Sequence, residues 1–167
     1  MSEMSELADR FLQACKRRGI LVATAESCTG GGIIALMTDL PGSSSMVDRG
    51  FVTYSNEAKI DMIGVSPETL ERHGAVSEET ALEMAAGALS RSRAGIALSV
   101  TGIAGPDGGS AEKPVGLVWI GIARAGQPVV AQRHQFENRG RDHIRRETVR
   151  AALQMGLDAL GVDDQAG

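Results

Sequence analysis

Three short segments of this chain place reactive side chains beside flexible backbone. The first is Thr24-Ala25-Glu26-Ser27-Cys28-Thr29-Gly30-Gly31-Gly32. It sets a hydroxyl next to a thiol and follows them with glycines that let a ligand approach the main chain. With a strand before it and a helix after it, Ser27 sits like the nucleophile of a strand–turn–helix elbow. The helix-start N–H groups of the Thr29–Gly32 turn then face an anion or an oxyanion. Cys28 shares that helix start, where a thiolate is favoured, and so rivals Ser27. The same small residues also suit a plain helix cap, with Ser27 and Thr29 as capping hydroxyls.

The second segment is Tyr54-Ser55-Asn56-Glu57-Ala58-Lys59. A serine hydroxyl needs a neighbour to take its proton, and a lysine with a lowered pKa can do so. Ser55-Asn56 reads as a helix cap, which puts Lys59 in the first helical turn. The positive end of the dipole there favours the neutral amine. A solvated surface lysine is the other reading. The third segment, Thr101-Gly102-Ile103-Ala104-Gly105-Pro106-Asp107-Gly108-Gly109, is a glycine-rich loop suited to wrapping a ligand. It matches neither the Walker A pattern nor G-x-G-x-x-G. Further on, Arg141 and Arg145 share a helical face, as do Arg146 and Arg150, and one of these could grip a phosphate or carboxylate.

Metal chemistry finds no support in the spacing. Cys15 and Cys28 form no C-x-x-C, and His73, His134 and His143 are scattered. No metal and no cofactor is therefore expected. The net charge of −4 argues against nucleic acid as a partner. No apolar stretch approaches the roughly 20 residues of a membrane helix, and the first ten residues lack a signal-peptide core. The expected location is the cytoplasm.

The segments need a scaffold, and hydrophobic periodicity predicts one. Leu7, Phe11, Leu12 and Cys15 recur at helical spacing before Gly19. A strand is expected over Ile20–Ala25, then a helix over Ile33–Leu40 stopped by Pro41-Gly42. A polar loop is expected at Ser43–Ser45 and a strand at Phe51–Tyr54. Ser55, Ser66-Pro67 and Ser77 read as three helix starts. A strand over Gly95–Val100 leads to a long loop, Thr101–Pro114. A hairpin of Val115–Ala123 and Val129–Phe136 follows, and a helix over Asp142–Leu160 ends the pattern. Aromatic residues are only 3% of the 167, so the core must be built from aliphatic side chains with alanine and glycine. The expected architecture is one α/β domain over residues 1–167, with a mixed sheet and helices on both faces.

Five stretches, in order, resemble the C-terminal domain of the competence/damage-inducible CinA proteins, the nicotinamide-nucleotide amidase family. They are Ala25–Gly31 (AESCTGG), Tyr54–Lys59 (YSNEAK), Gly74–Ala81 (GAVSEETA), Val100–Gly109 (VTGIAGPDGG) and Lys113–Gly121 (KPVGLVWIG). The resemblance covers residues 7 to 160 and implies a three-layer α/β/α domain that self-associates into a homo-oligomer. It implies hydrolysis of the carboxamide of nicotinamide mononucleotide to nicotinic acid mononucleotide and ammonia. Its motif serine and lysine fall on Ser27 and Lys59, and its motif tyrosine on Tyr54. Thr29, Gly30, Gly31, Asn56, Thr101, Gly102, Gly105 and Arg145 are the positions expected at the ligand. The pyrophosphatase domain that precedes this domain in many members is not expected here. A non-catalytic nucleotide-binding module with the same loops is the alternative, as is an amide hydrolase using Cys28.

Overall fold

The computed structural model describes residues 1–161; the end of the expected domain span, residues 162–167, lies outside the described residues. The chain runs α1 (Glu3–Arg17), β1 (Val22–Glu26), α2 (Gly32–Thr38), a 3-10 turn (Ser43–Ser45), β2 (Val47–Val52), α3 (Asn56–Ile63), α4 (Pro67–His73), α5 (Glu78–Ser90), β3 (Ile96–Gly102), β4 (Leu117–Arg124), β5 (Val130–Gln135) and α6 (Arg141–Ala159). Each predicted element is present, with displaced ends. The largest displacement is at β2, which starts at Val47 rather than Phe51. Its first residues, Val47-Asp48-Arg49-Gly50, lie on an edge strand and carry no continuous apolar run. Strand β3 takes Thr101 and Gly102 from the expected loop, because both pair with β4. Ser43–Ser45 is a 3-10 turn rather than open loop.

Serine caps start four of the helices. Ser2, Ser55, Ser66 and Ser77 accept hydrogen bonds from the amides of Ser5, Ala58, Glu68 and Thr80. The sheet has the order β2-β1-β3-β4-β5. Strands β1, β2 and β3 are parallel, and β4 and β5 are antiparallel additions. Neighbours on the two sides of β1 are reached through helices on opposite faces. The carboxyl ends of β1 and β3 therefore frame a crevice where ligands of open α/β sheets bind.

Strand alternation divides the core in two. Val22, Ile96, Leu98, Val100, Val118 and Ile120 point to α1, α2 and α6. Ala23, Ala25, Ala97 and Ala123 point the other way, to α3 and α5. The second face is lined by small residues, so α5 lies close to the sheet. Ser99 Oγ donates to the Ala81 carbonyl at 2.7 Å, and a Cβ on Gly121 would come within 2.6 Å of that same oxygen. Thus the low aromatic content goes with close helix–sheet packing on the face that carries α3.

Gly87, in the last turn of α5, marks a close approach between α5 and α3. A Cβ there would fall on the carbonyl oxygen of Ile63, the last residue of α3. Replacing a glycine within a helix by alanine ordinarily gains up to about 1 kcal/mol. Here the collision is with backbone and wins. Gly87→Ala should lower stability by about 1–3 kcal/mol, the usual cost of overpacking. That corresponds to a fall in Tm of roughly 2–10 °C at this chain length, measurable by thermal unfolding followed by circular dichroism.

Candidate active site

The site lies one residue beyond the end of β1. Strand alternation turns Glu26 toward α2 and Ser27 toward α3. The Ser27 amide still pairs with the Val100 carbonyl at 3.1 Å, so the nucleophile candidate rides on the sheet. On the facing side, the Ser55 cap starts α3 and sets Lys59 in its first turn, as expected. Lys59 Nζ stands 3.0 Å from Ser27 Oγ. It donates to the carbonyls of Thr53 at 2.9 Å and Tyr54 at 3.2 Å.

Lys59 is 1% exposed. Burial pushes its amine below the ordinary lysine value. This corrects the expected cause: desolvation, rather than the helix dipole, leads. Among the described residues no carboxylate pairs with it. The amine donates to Ser27 Oγ as well as to the two carbonyls, so the nitrogen that would take the Ser27 proton is already in hydrogen-bond contact with that hydroxyl. Cys28 stands beside them, but burial pushes its thiol up to about 12, with the Glu26 carboxylate adding to the rise. At neutral pH it is therefore a protonated thiol, the weaker candidate of the adjacent pair.

A cleft of about 260 Å³ opens onto this pair. Of the expected ligand positions, Asn56, Thr101 and Gly102 line it, together with Tyr54. Thr101 is buried and donates its hydroxyl to the Ala75 carbonyl at 2.8 Å. The Tyr54 side chain is 62% exposed and stands at the rim. Its main-chain carbonyl, not its ring, touches the Ser27–Lys59 pair.

Other expected positions do not line this cleft, and each has a structural reason. Thr29 gives its hydroxyl to Glu26 at 2.6 Å and opens onto a separate groove beside Arg145. Gly30 and Gly31 adopt positive φ (60° and 102°) and shape the turn. The amides of Gly30 and Gly32 donate to the carbonyls of Ser27 and Thr29, and those of Ile33 and Ile34 to Glu26. The Thr29–Gly32 turn has thus spent donors that the sequence offered for an oxyanion. Arg145 spends its guanidinium on the carbonyls of Cys28 and Thr29, both at 3.0 Å. It braces the turn from outside. Gly105 contributes its carbonyl, which accepts from Arg141 at 2.7 Å.

Of the arginines that the sequence offered for an anion, Arg141 rather than Arg145 faces the cleft of the Ser–Lys pair. It lines the cleft, held by Gly105 and by a 3.3 Å contact with the Tyr54 hydroxyl. It lies one helical turn from Arg145 on the same face, so spacing alone could not separate the two. Glu26 was passed over altogether, although a carboxylate at a strand end before a helix start is a readable signal. A larger cleft, about 610 Å³, lies between α1, α6 and β5, far from the Ser–Lys pair. Among the described residues, no group of three or more His, Cys, Asp or Glu is arranged to hold a metal ion. Nor is any helix among them long and apolar enough to cross a membrane.

The geometry has close counterparts. The model of the CinA C-terminal domain matches residues 4–160. The nicotinamide-nucleotide amidohydrolase PncC of Escherichia coli (strain K12) is 54% identical over 153 residues, 92% of either chain. The protein of the same name from Enterobacter agglomerans is 50% identical over 159 residues, covering 94% of this chain and 96% of its own. Among solved structures, the competence/damage inducible protein CihA from Agrobacterium tumefaciens superposes with a TM-score of 0.92 at 54% identity, over 96% of both chains. These likenesses span the whole sheet and both motifs of the Ser–Lys pair, and the chain belongs to the CinA C-terminal domain family.

Proposed function

We propose that this protein hydrolyses the carboxamide of nicotinamide mononucleotide to nicotinic acid mononucleotide and ammonia, with Ser27 as nucleophile and Lys59 as base. The observation that carries this reading is the buried Lys59 amine, with no carboxylate partner among the described residues, 3.0 Å from the Ser27 hydroxyl. The similarity to PncC amidohydrolases supports the substrate class. A module that only binds nucleotide has no use for a desolvated lysine turned on a serine.

Lys59 takes the proton of Ser27 as Oγ attacks the carboxamide carbon. The tetrahedral oxyanion is assigned to the amide of Cys28, the residue after the nucleophile. Lys59 then returns its proton to the leaving nitrogen, the C–N bond breaks, and ammonia departs. Water, deprotonated by the same amine, cleaves the acyl-enzyme and restores Ser27. Arg141, fixed by Gly105 and Tyr54, takes the substrate phosphate, while Thr101, Gly102 and Asn56 line the path of the nucleotide. The same reading places the enzyme in the cytoplasm as a homo-oligomer, which analytical ultracentrifugation would size.

The nucleophile is tested by a pair of variants. Ser27→Ala should abolish ammonia release, and Cys28→Ser should keep most of it. The reverse outcome would establish thiol chemistry.

The base is tested by charge without titration. Arginine cannot lose its proton near neutral pH. Lys59→Arg should therefore lower kcat by about 10²–10⁴-fold, the usual contribution of general acid–base catalysis. Wild-type kcat/KM should rise with pH through the depressed lysine pKa, because the neutral amine is the active form and deprotonation proceeds upward in pH. A flat profile, or a Lys59→Arg enzyme with normal kcat, would remove Lys59 from the mechanism. Wild-type protein that binds nicotinamide mononucleotide in calorimetry but releases no ammonia would establish the binding-module reading.

The anion contact is tested by Arg141→Ala. Its loss removes binding to a part of the substrate that does not react, so KM should rise by about tenfold or more while kcat changes little. Arg145→Ala should instead disturb the turn and lower kcat. Steady-state kinetics of the two variants separates the roles.

A further inference from the structure

We infer that Glu26 is a positioning residue for this reaction, its buried carboxylate fixing the turn that aims Ser27 at Lys59; the inference rests on the amidase reading above. Glu26 is fully buried and lies among no cleft-lining residues, so it has no access to substrate. Its Oε1 accepts from Thr29 Oγ1 at 2.6 Å and from the Ile33 amide at 2.8 Å. Its Oε2 accepts from Thr24 Oγ1 at 3.0 Å and from the Ile34 amide at 3.0 Å. One side chain thereby ties β1, the turn and the start of α2 to a single point.

The demand for a carboxylate follows from the donor count. Four donors converge, two hydroxyls and two amides, and each carboxylate oxygen accepts from two of them. Glutamine offers one acceptor oxygen and turns an NH₂ toward a donor. The hydroxyls can rotate away; the Ile33 and Ile34 amides are held by α2 and cannot. Between Glu26 and α2 the chain passes Gly30 and Gly31, whose positive φ values leave the turn little rigidity of its own. Arg145 holds the outer side of that turn through the Cys28 and Thr29 carbonyls. Glu26 holds the inner side. With either released, Ser27 shifts relative to an amine that α3 and two carbonyls keep in place.

Displacement of a reacting atom by about 1 Å costs on the order of 10²-fold in rate. Glu26→Gln should therefore lower kcat about 10²-fold and Thr29→Val about tenfold, both with KM within about threefold of wild type. Thr29→Ser keeps the hydroxyl and should restore kcat. A role confined to stability would lower Tm and leave kcat of the folded enzyme intact, which would overturn the inference. So would a raised KM at normal kcat. Thr29→Val carries the test if Glu26→Gln does not fold.

Crystal structures of the folded variants supply a readout that needs no activity. Ser27 Oγ should lie beyond 3.5 Å from Lys59 Nζ in Thr29→Val and return to about 3 Å in Thr29→Ser, the limit being that of an ordinary hydrogen bond. An unmoved pair in Thr29→Val would overturn the positioning role. Should wild-type enzyme release no ammonia from nicotinamide mononucleotide, the amidase reading falls, and this distance still decides what Glu26 does.

Discussion

A buried amine with no carboxylate partner among the described residues is the constraint that organises this protein. A buried lysine costs stability whether it stays charged or gives up its proton. The fold offsets part of that cost with two carbonyls at the end of β2, those of Thr53 and Tyr54. The carbonyls point inward because the chain turns from β2 into the Ser55 cap at that place. The cap starts α3, and α3 sets Lys59 over the sheet. The C-terminal end of α3 is in turn pressed against α5 at Gly87. Strand end, helix cap and helix packing thus converge on one nitrogen.

The opposite wall obeys a simpler rule. Residues along a strand alternate sides, so Glu26 and Ser27 cannot point the same way. The carboxylate goes to the α2 face and holds the turn; the hydroxyl goes to the α3 face and meets the amine. A one-residue slip of β1 would exchange them. It would put a carboxylate beside Lys59, where an ion pair would raise the amine pKa. Register at β1 therefore bears on chemistry as well as on packing. The pairing of the Ser27 amide with the Val100 carbonyl extends that register past the strand's end.

Much of the scaffold was legible because its signals are local. Ser55, Ser66-Pro67 and Ser77 are caps that work through bonds within three residues, so sequence suffices to find them. Ser27 and Lys59 were legible as types suited to each other. Their 3.0 Å separation depends on two strands and a helix that no local pattern encodes. The desolvation of Lys59 was illegible for the same reason: burial is a property of the packed core. Donor accounting also escaped the sequence. The Thr29–Gly32 turn looks like a bank of free amides until Glu26 is seen to occupy two of the neighbouring helix donors, Ile33 and Ile34.

Arg141 and Arg145 show where such reasoning stops and packing takes over. They are four residues apart on one helix, about 6 Å along its axis. Both carry the same group on the same face. One reaches over the cleft to Gly105 and Tyr54, and the other reaches under the turn to Cys28 and Thr29. What separates them is the axial position of α6 relative to the sheet. That position is set far from the site, where a Cβ on Gly156 would meet Phe11 at 2.8 Å and Leu98 at 3.0 Å. Ile144, fully buried between the two arginines, fixes the rotation. A slide of α6 by one turn would put Arg145 near the place of Arg141 and leave the turn unbraced. Which of the two arginines reaches the cleft is therefore set by apolar contacts toward the far end of the helix.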